Sequence, residues 1–221
     1  MAELTRRRTT QFTDGILLLD RIRIAVETID PTIRTEIFRK SLHMLIALVP
    51  ALATYFGAAA TLAILAGGTL FYTLAETGRR HGHPVFLIGR LTVLSTRERD
   101  RGRFVLGPVT LGLGAMIALF LYPAPVAAIA IYALAFGDGL ASLVGKVVGR
   151  RTLFGTPKTV EGSLTCFAAV FAVSAQFVSR PEQAFLIALG ATVIEALPSD
   201  DLDNLLLPIG TGVIASAVLL I

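Results

Sequence analysis

The sequence predicts an all-α fold: a polytopic membrane helix bundle of about seven transmembrane helices, with its N-terminus cytoplasmic. Three observations predict it. The 221 residues are 54% hydrophobic and only 16% charged, with a mean hydropathy of +0.71, whereas a soluble domain carries about a quarter charged residues. Seven apolar stretches, roughly 42–56, 58–75, 104–122, 124–144, 160–178, 183–197 and 204–221, punctuate the chain, each near the length that crosses about 30 Å of hydrocarbon. Threading those seven places nineteen of the twenty Arg and Lys residues on one side and only Arg180 on the other. Basic loops stay cytoplasmic, so the N-terminus is expected inside and the C-terminus outside.

In chain order, residues 1–37 form a basic cytoplasmic or interfacial arm and residues 38–221 an integral membrane catalytic domain. Within the arm, ILLLDRIRIAVETI (16–29) is too polar to span. It reads either as an amphipathic helix on the inner leaflet or as a solvated basic arm. No signal peptide is apparent after the polar start. A basic loop (76–103), a Gly/Arg/Lys loop (145–159) and the acidic turn PSDDLDN (198–204) fall on the inner side. The net charge of +4 follows from this sorting of bases and implies no nucleic-acid partner. One cysteine, Cys166, excludes an internal disulfide and reads as an inert buried thiol.

The fourth stretch runs into the most charged and glycine-rich segment, FGDGLASLVGKVVGRRTLFGTPKTVEGS (136–163). As a helix it carries two stripes at four-residue spacing. Gly137, Ala141, Gly145 and Gly149 form a small-xxx-small series that admits a neighbouring helix. Asp138, Ser142, Lys146 and Arg150 form a polar series descending to the inner surface. An acid such as Asp138 within a span is costly and marks a functional site. Gly155 and Pro157 then break the helix, Thr159 or the following turn starts the next one, and Lys158 and Glu161 arrive at its inner mouth. Bases and free backbone N–H groups at a helix start suit a polyphosphate. Asp138 and Glu161 can hold a divalent cation bridging phosphate oxygens; the competing reading is a structural ion pair with nearby Lys or Arg. The segment lacks G-x-G-x-x-G spacing, a Walker A loop is excluded by Leu140, and zinc-ligand spacing is absent.

Other polar residues gather on the same side. Lys40 and His43 share a face at the entrance of the first span. Glu76 and Arg79 stand three apart, as a surface ion pair or as part of the site, and Arg97 and Glu98 sit in the basic loop. Glu195 lies deep in the sixth span, followed by Asp200, Asp201 and Asp203. Carboxylates beside so many bases point to a metal–phosphate site.

FGDGLASLVGKVVGR followed by KTVEGS resembles the shared core of the membrane CTP-using enzymes, the phosphatidate cytidylyltransferases and the CTP-dependent lipid kinases. The shape GD-x-x-A, spaced glycines, then K-S/T-x-E-G is matched by Gly137, Asp138, Ala141, Gly145, Gly149, Lys158, Thr159, Glu161 and Gly162. FRKSLHM resembles the R-K-x-x-H element of the kinases, and Glu195, Asp203, Asn204 and Pro208 match their ending. The long C-terminal signature of the cytidylyltransferases is missing. The resemblance, from about residue 38 to 208, implies phosphorylation of a membrane lipid alcohol of polyprenol/dolichol, phytol or diacylglycerol type. CTP would be the donor, with a divalent cation, most simply Mg2+. It implies Asp138 and Glu161 in metal or nucleotide positioning, and Lys158 with Lys146 or Arg150 on phosphate oxygens. Asp203 would be a metal ligand or base, and Lys40 and His43 would lie near the acceptor hydroxyl or the phosphate. Gly137, Ser142, Gly145, Gly149, Thr159, Gly162 and Asn204 would line the nucleotide site. The competing functions are CDP-diacylglycerol synthesis and a small ion-coupled transporter using Asp138 and Glu195.

Overall fold

A computed structural model describes residues 30–83, 85–96, 100, 102–153, 155–198 and 202–220. The expectations for 16–29, Arg97, Glu98, Asp200 and Asp201 lie outside the described residues. The chain divides into two units, Met1–Arg34 and Thr35–Ile221; the features below belong to the second unless stated.

The regular elements among the described residues are all helices, joined by turns and loops, with one isolated bridge between Thr152 and Thr159. Helix α1 (Pro31–Met44) starts where Asp30 Oδ1 accepts the Thr32 N–H at 2.7 Å and Pro31 supplies a ready-made helical φ. A tighter turn, Leu45–Leu48, leads into α2 (Val49–Phe56), where Pro50 removes a backbone donor. Gly57, at φ 84°, breaks the chain before α3 (Ala58–Arg80), because this backbone conformation is open mainly to glycine. Then come α4 (Phe86–Ser95), α5 (Gly107–Leu121) and α6 (Ala124–Tyr132). A wide π-helical turn, Ala133–Asp138, joins α6 to α7 (Gly139–Val148). The fold ends with α8 (Val160–Ser174), α9 (Pro181–Ala196) and α10 (Asp203–Leu219).

Each of the seven apolar stretches thus holds helix. Three helical runs, Pro31–Phe56, Ala58–Arg80 and Ala124–Val148, are long and apolar enough to cross a membrane; Gly107–Leu121, Val160–Ser174 and Asp203–Leu219 are shorter apolar helices. Two departures from the sequence reading stand out. The 76–103 segment is not all loop: FLIGRLTVLS forms α4 and packs against α3. The fourth stretch is not a uniform α-helix, since the π turn interrupts it and ends on Asp138, the first residue of the polar stripe.

The α6–π segment is the axis of the bundle. Val126–Ile131 and Ala133–Ala135 are buried on every side, as expected of a helix that is apolar all round. It is wrapped by α5, α8, α9 and α10. Large apolar residues face outward instead on the surrounding helices, among them Phe71, Phe120, Leu164, Leu186 and Val213. An exposed apolar belt of this extent matches a lipid surface better than water.

Close approach of α7 and α8 is made by glycine. A Cβ on Gly162 would lie 2.8 Å from the Ala141 carbonyl oxygen, and one on Gly145 2.9 Å from Thr159 Oγ1. Thr159 in turn caps α8 by accepting the Gly162 N–H at 3.1 Å. The obstacle at Gly162 is backbone, which cannot rotate away. Gly162→Ala is therefore expected to push the two helices apart and cost about 1–3 kcal/mol, read as a lowered melting temperature in detergent.

Candidate active site

The polar stripe and its partners converge from α1, the π turn, the 149–159 loop, α9 and α10. Lys40, in the third turn of α1, donates to Asp138 Oδ2, and both side chains are almost wholly buried. His43, one turn further on the same face, brings Nε2 to 3.3 Å from that oxygen and 2.9 Å from the Leu134 carbonyl. A carbonyl only accepts, so Nε2 carries the proton and Nδ1 is the basic nitrogen of the ring. Ser142, one turn along the stripe, donates to Asp138 Oδ1 at 3.4 Å. Asp138 is thus held from three sides, which makes a buried carboxylate tolerable.

A second knot lies at the mouths of α8 and α10. Lys158 donates to Glu195 Oε1 at 2.8 Å, and Ser163 to Glu195 Oε2 at 3.1 Å. Lys158 Nζ also stands 3.8 Å from Asp203 Oδ2, the loosest ion pair of the cluster. Burial alone would lower the Lys158 pKa; the carboxylates of Glu195, Asp138 and Asp203 outweigh it and hold the ammonium above the ordinary lysine range. Lys158 feels acids of both knots, so the two form one electrostatic unit, and it stays a cation throughout the physiological range. Asp203 Oδ1 accepts the Asn204 N–H at 2.9 Å. The Asn204 side chain donates to Thr110 Oγ1 at 2.9 Å and to the Gly107 carbonyl at 3.3 Å, pinning the start of α10 to α5.

The third group was not singled out from the sequence. Glu36, 1% exposed, is bonded by Arg39 and by Lys146 Nζ, the latter at 2.7 Å. The available signal was spacing: Glu36, Lys40 and His43 recur every three to four residues on one face of α1. Ser163, on Glu195, also went unnoticed. Glu76 and Arg79 do pair, but not at the surface. Glu76 is fully buried, accepts two Arg79 bonds at 2.7 Å each, and takes the Val105 N–H at 3.1 Å.

The remaining expected site residues are placed as follows. Gly137 packs against Cys166 and Val170 of α8, while Gly145, Gly149 and Gly162 surround Thr159; their contacts are helix packing. Arg150 is exposed beyond the end of α7. Glu161, in the first turn of α8, accepts the Arg151 backbone N–H at 3.4 Å, so it faces the loop rather than pairing with Asp138. Among the described residues no three His, Cys, Asp or Glu side chains come together as a ready cation cage. Mg2+ in phosphate-transfer sites needs less: one or two carboxylates, with the rest of its shell from phosphate and water. Asp203, half-buried and only loosely tied to Lys158, fits that requirement.

No protein-family model matches the chain, and no solved structure matches it. Two curated proteins do. A phytol kinase of Synechocystis sp. is 34% identical over 142 residues, covering 58% of this chain and 60% of its own length. A probable chloroplastic phytol kinase of Triticum aestivum is 30% identical over 139 residues, covering 54% of this chain and 46% of its own length. The chain is similar to these two phytol kinases over a little more than half of its own length. It spans about half the length of these phytol kinase relatives. The resemblance to the lipid kinases drawn from GD-x-x-A and K-T-x-E-G is thereby borne out.

Proposed function

We propose that the chain is a multi-pass lipid kinase that transfers the γ-phosphoryl group of CTP to the hydroxyl of a membrane lipid alcohol, leaving CDP. The observation that carries this reading is the joined lysine–carboxylate unit, Lys40–Asp138 with Lys158–Glu195/Asp203, gathered from distant parts of the chain. The phytol kinase homology supports the reaction type and an isoprenoid alcohol as acceptor. The motif resemblance supports CTP. The seven apolar helical stretches and the sorting of bases support seven spans, an N-terminus inside, and a site on the cytoplasmic side.

Phosphoryl transfer asks little covalent help from a protein; it needs alignment and neutralised charge. The acceptor oxygen forms a bond to the γ-phosphorus, the bond from that phosphorus to the β–γ bridging oxygen breaks, and the hydroxyl proton leaves. His43 Nδ1 takes this proton, while Asp138 on the opposite side of the ring steadies the resulting imidazolium, the orienting role a carboxylate plays toward a catalytic histidine. Lys158 and Lys146 exchange carboxylate partners for phosphate oxygens. Around them Lys40, Arg39, Lys146 and Lys158 are matched by Asp138, Glu36, Glu195 and Asp203. The protein therefore has little net positive charge to offer a polyphosphate. A divalent cation held by Asp203, with Glu161 or a freed Glu195 next to it, would supply the missing charge neutralisation.

The test is direct. Purified protein in nanodiscs is given phytol, a polyprenol or diacylglycerol with each nucleoside triphosphate, with and without Mg2+. CTP- and Mg2+-dependent formation of the isoprenoid phosphate is expected. Lipid phosphate formed equally well from ATP, or without a divalent cation, sinks the donor or metal assignment.

A further inference from the structure

A cavity of about 300 Å³ opens beside the polar unit, walled by α1, α3, α4 and α5, the loop before α5, and the start of α10. Its polar residues include Arg39, His43 and Asn204; elsewhere the wall is mainly apolar, with Tyr72, Leu91 and Leu111 among its residues. Tyr72 contributes ring rather than hydroxyl, because its O–H is spent on the Val105 carbonyl at 3.1 Å. Two features single this cavity out from a packing void. His43 belongs both to its wall and to the Asp138 knot, and Asn204 adjoins Asp203, so the cavity meets the ionic cluster at two points. Arg39 Nε is a buried donor with no hydrogen-bond partner among the described residues. Buried donors without partners are rare in native proteins, and an oxygen-bearing ligand in this cavity would satisfy it.

We infer that this cavity is the acceptor chamber: the hydroxyl of a single-chain isoprenoid alcohol lies at the His43–Arg39–Asn204 end, and its chain runs between α4 and α5. This rests on the lipid kinase reading and adds to it where the acceptor binds and which residues select it. Ligand cavities run from about 300 to 1,000 Å³, so this one is at the small end. Its volume suits one slender chain, with the rest emerging between helices into lipid, better than the paired acyl chains of a diacylglycerol. The residues that set selectivity are then Leu91, Leu111 and Tyr72, which line the cavity and have no recorded hydrogen bond or ion pair to the ionic cluster among the described residues.

Two readouts test the chamber. The full chain in nanodiscs is irradiated with a diazirine analogue of geranylgeraniol, and adducts are mapped by peptide mass spectrometry. Adducts are expected at Leu91 and Leu111, displaced by phytol but not by dioleoylglycerol. Adducts confined to outward-facing residues such as Phe71 and Phe120, or displacement by dioleoylglycerol, overturn the inference. In turnover, Leu91→Trp is expected to raise the KM for phytol about tenfold, the scale on which small changes in an apolar pocket discriminate. KM for the nucleotide and turnover of the shorter alcohol geraniol should hold. Leu111→Phe, from the opposite wall, is expected to shift the KM for phytol in the same direction and serves if the tryptophan variant fails to fold. Equal loss on phytol and geraniol, or no loss on either, contradicts the chamber. A wild-type protein that phosphorylates no alcohol refutes the kinase reading instead, and the adduct map then still shows whether the cavity takes the chain.

Discussion

Asp138→Asn is expected to cut kcat about a thousandfold, the upper range for removing one preorganised electrostatic group. The amide cannot balance Lys40 or steady a protonated His43, although it nearly preserves the shape of the site. It also leaves the Lys40 ammonium buried and uncompensated, and breaking such a pair costs about 3–5 kcal/mol. Loss of activity alone would therefore be ambiguous. The double variant Lys40→Met/Asp138→Asn separates the two effects, because replacing both members of a buried pair removes the orphaned charge. The melting temperature of the double variant should recover much of what the single variant loses, while kcat stays low. Recovery of turnover together with stability would show that the pair is only structural.

Lys158→Met is the second large effect. Among the described residues, Lys158 is the cation recorded on both Glu195 and Asp203, and the reading gives it the transferring phosphate. Turnover should fall about a hundredfold or more, with a raised KM for the nucleotide and an unchanged KM for the lipid alcohol. Among the described residues, Glu195, 3% exposed, then keeps the Ser163 hydroxyl as its recorded hydrogen-bond partner, so the single variant should also melt earlier. Lys158→Met/Glu195→Gln should regain stability without regaining activity. Loss through a raised KM for the alcohol would move Lys158 from the phosphate to the acceptor side.

How much of this was legible follows from the range of each interaction. Apolar runs bounded by Gly57, Pro123 and Pro181 report helices locally, and the positions of α2, α3, α5, α6, α8, α9 and α10 follow from them. The ten-residue α4 escaped because its run is too short to span and its form depends on packing against α3. Nothing local in ALAFGD announces the π turn, yet that turn carries the Leu134 carbonyl and Asp138 to His43. The polar stripe of α7 was readable as spacing, and Ser142 and Lys146 do lie along it. Their partners were not readable: Lys40 meets Asp138 across 98 positions and Glu36 meets Lys146 across 110. Glu36 was also hidden by its surroundings, since an acid among the bases of an N-terminal arm looks solvated until the fold buries it. Of the glycines that the resemblance assigns to the nucleotide, Gly145, Gly149 and Gly162 lie where α7 and its C-terminal end approach Thr159 and α8, and for Gly145 and Gly149 the small-xxx-small spacing already implied such close packing.

The central claim is that the terminal phosphoryl group, and not the nucleotidyl group, reaches the lipid. Membranes carrying the protein are supplied with phytol and with CTP labelled at either the γ- or the α-phosphate, and the extracted lipid is separated and counted. The account predicts label in the lipid from γ-labelled CTP alone, absent in Asp138→Asn membranes. Label from α-labelled CTP would instead establish cytidylyl transfer, and label from neither donor would contradict an enzyme that joins this nucleotide to a lipid.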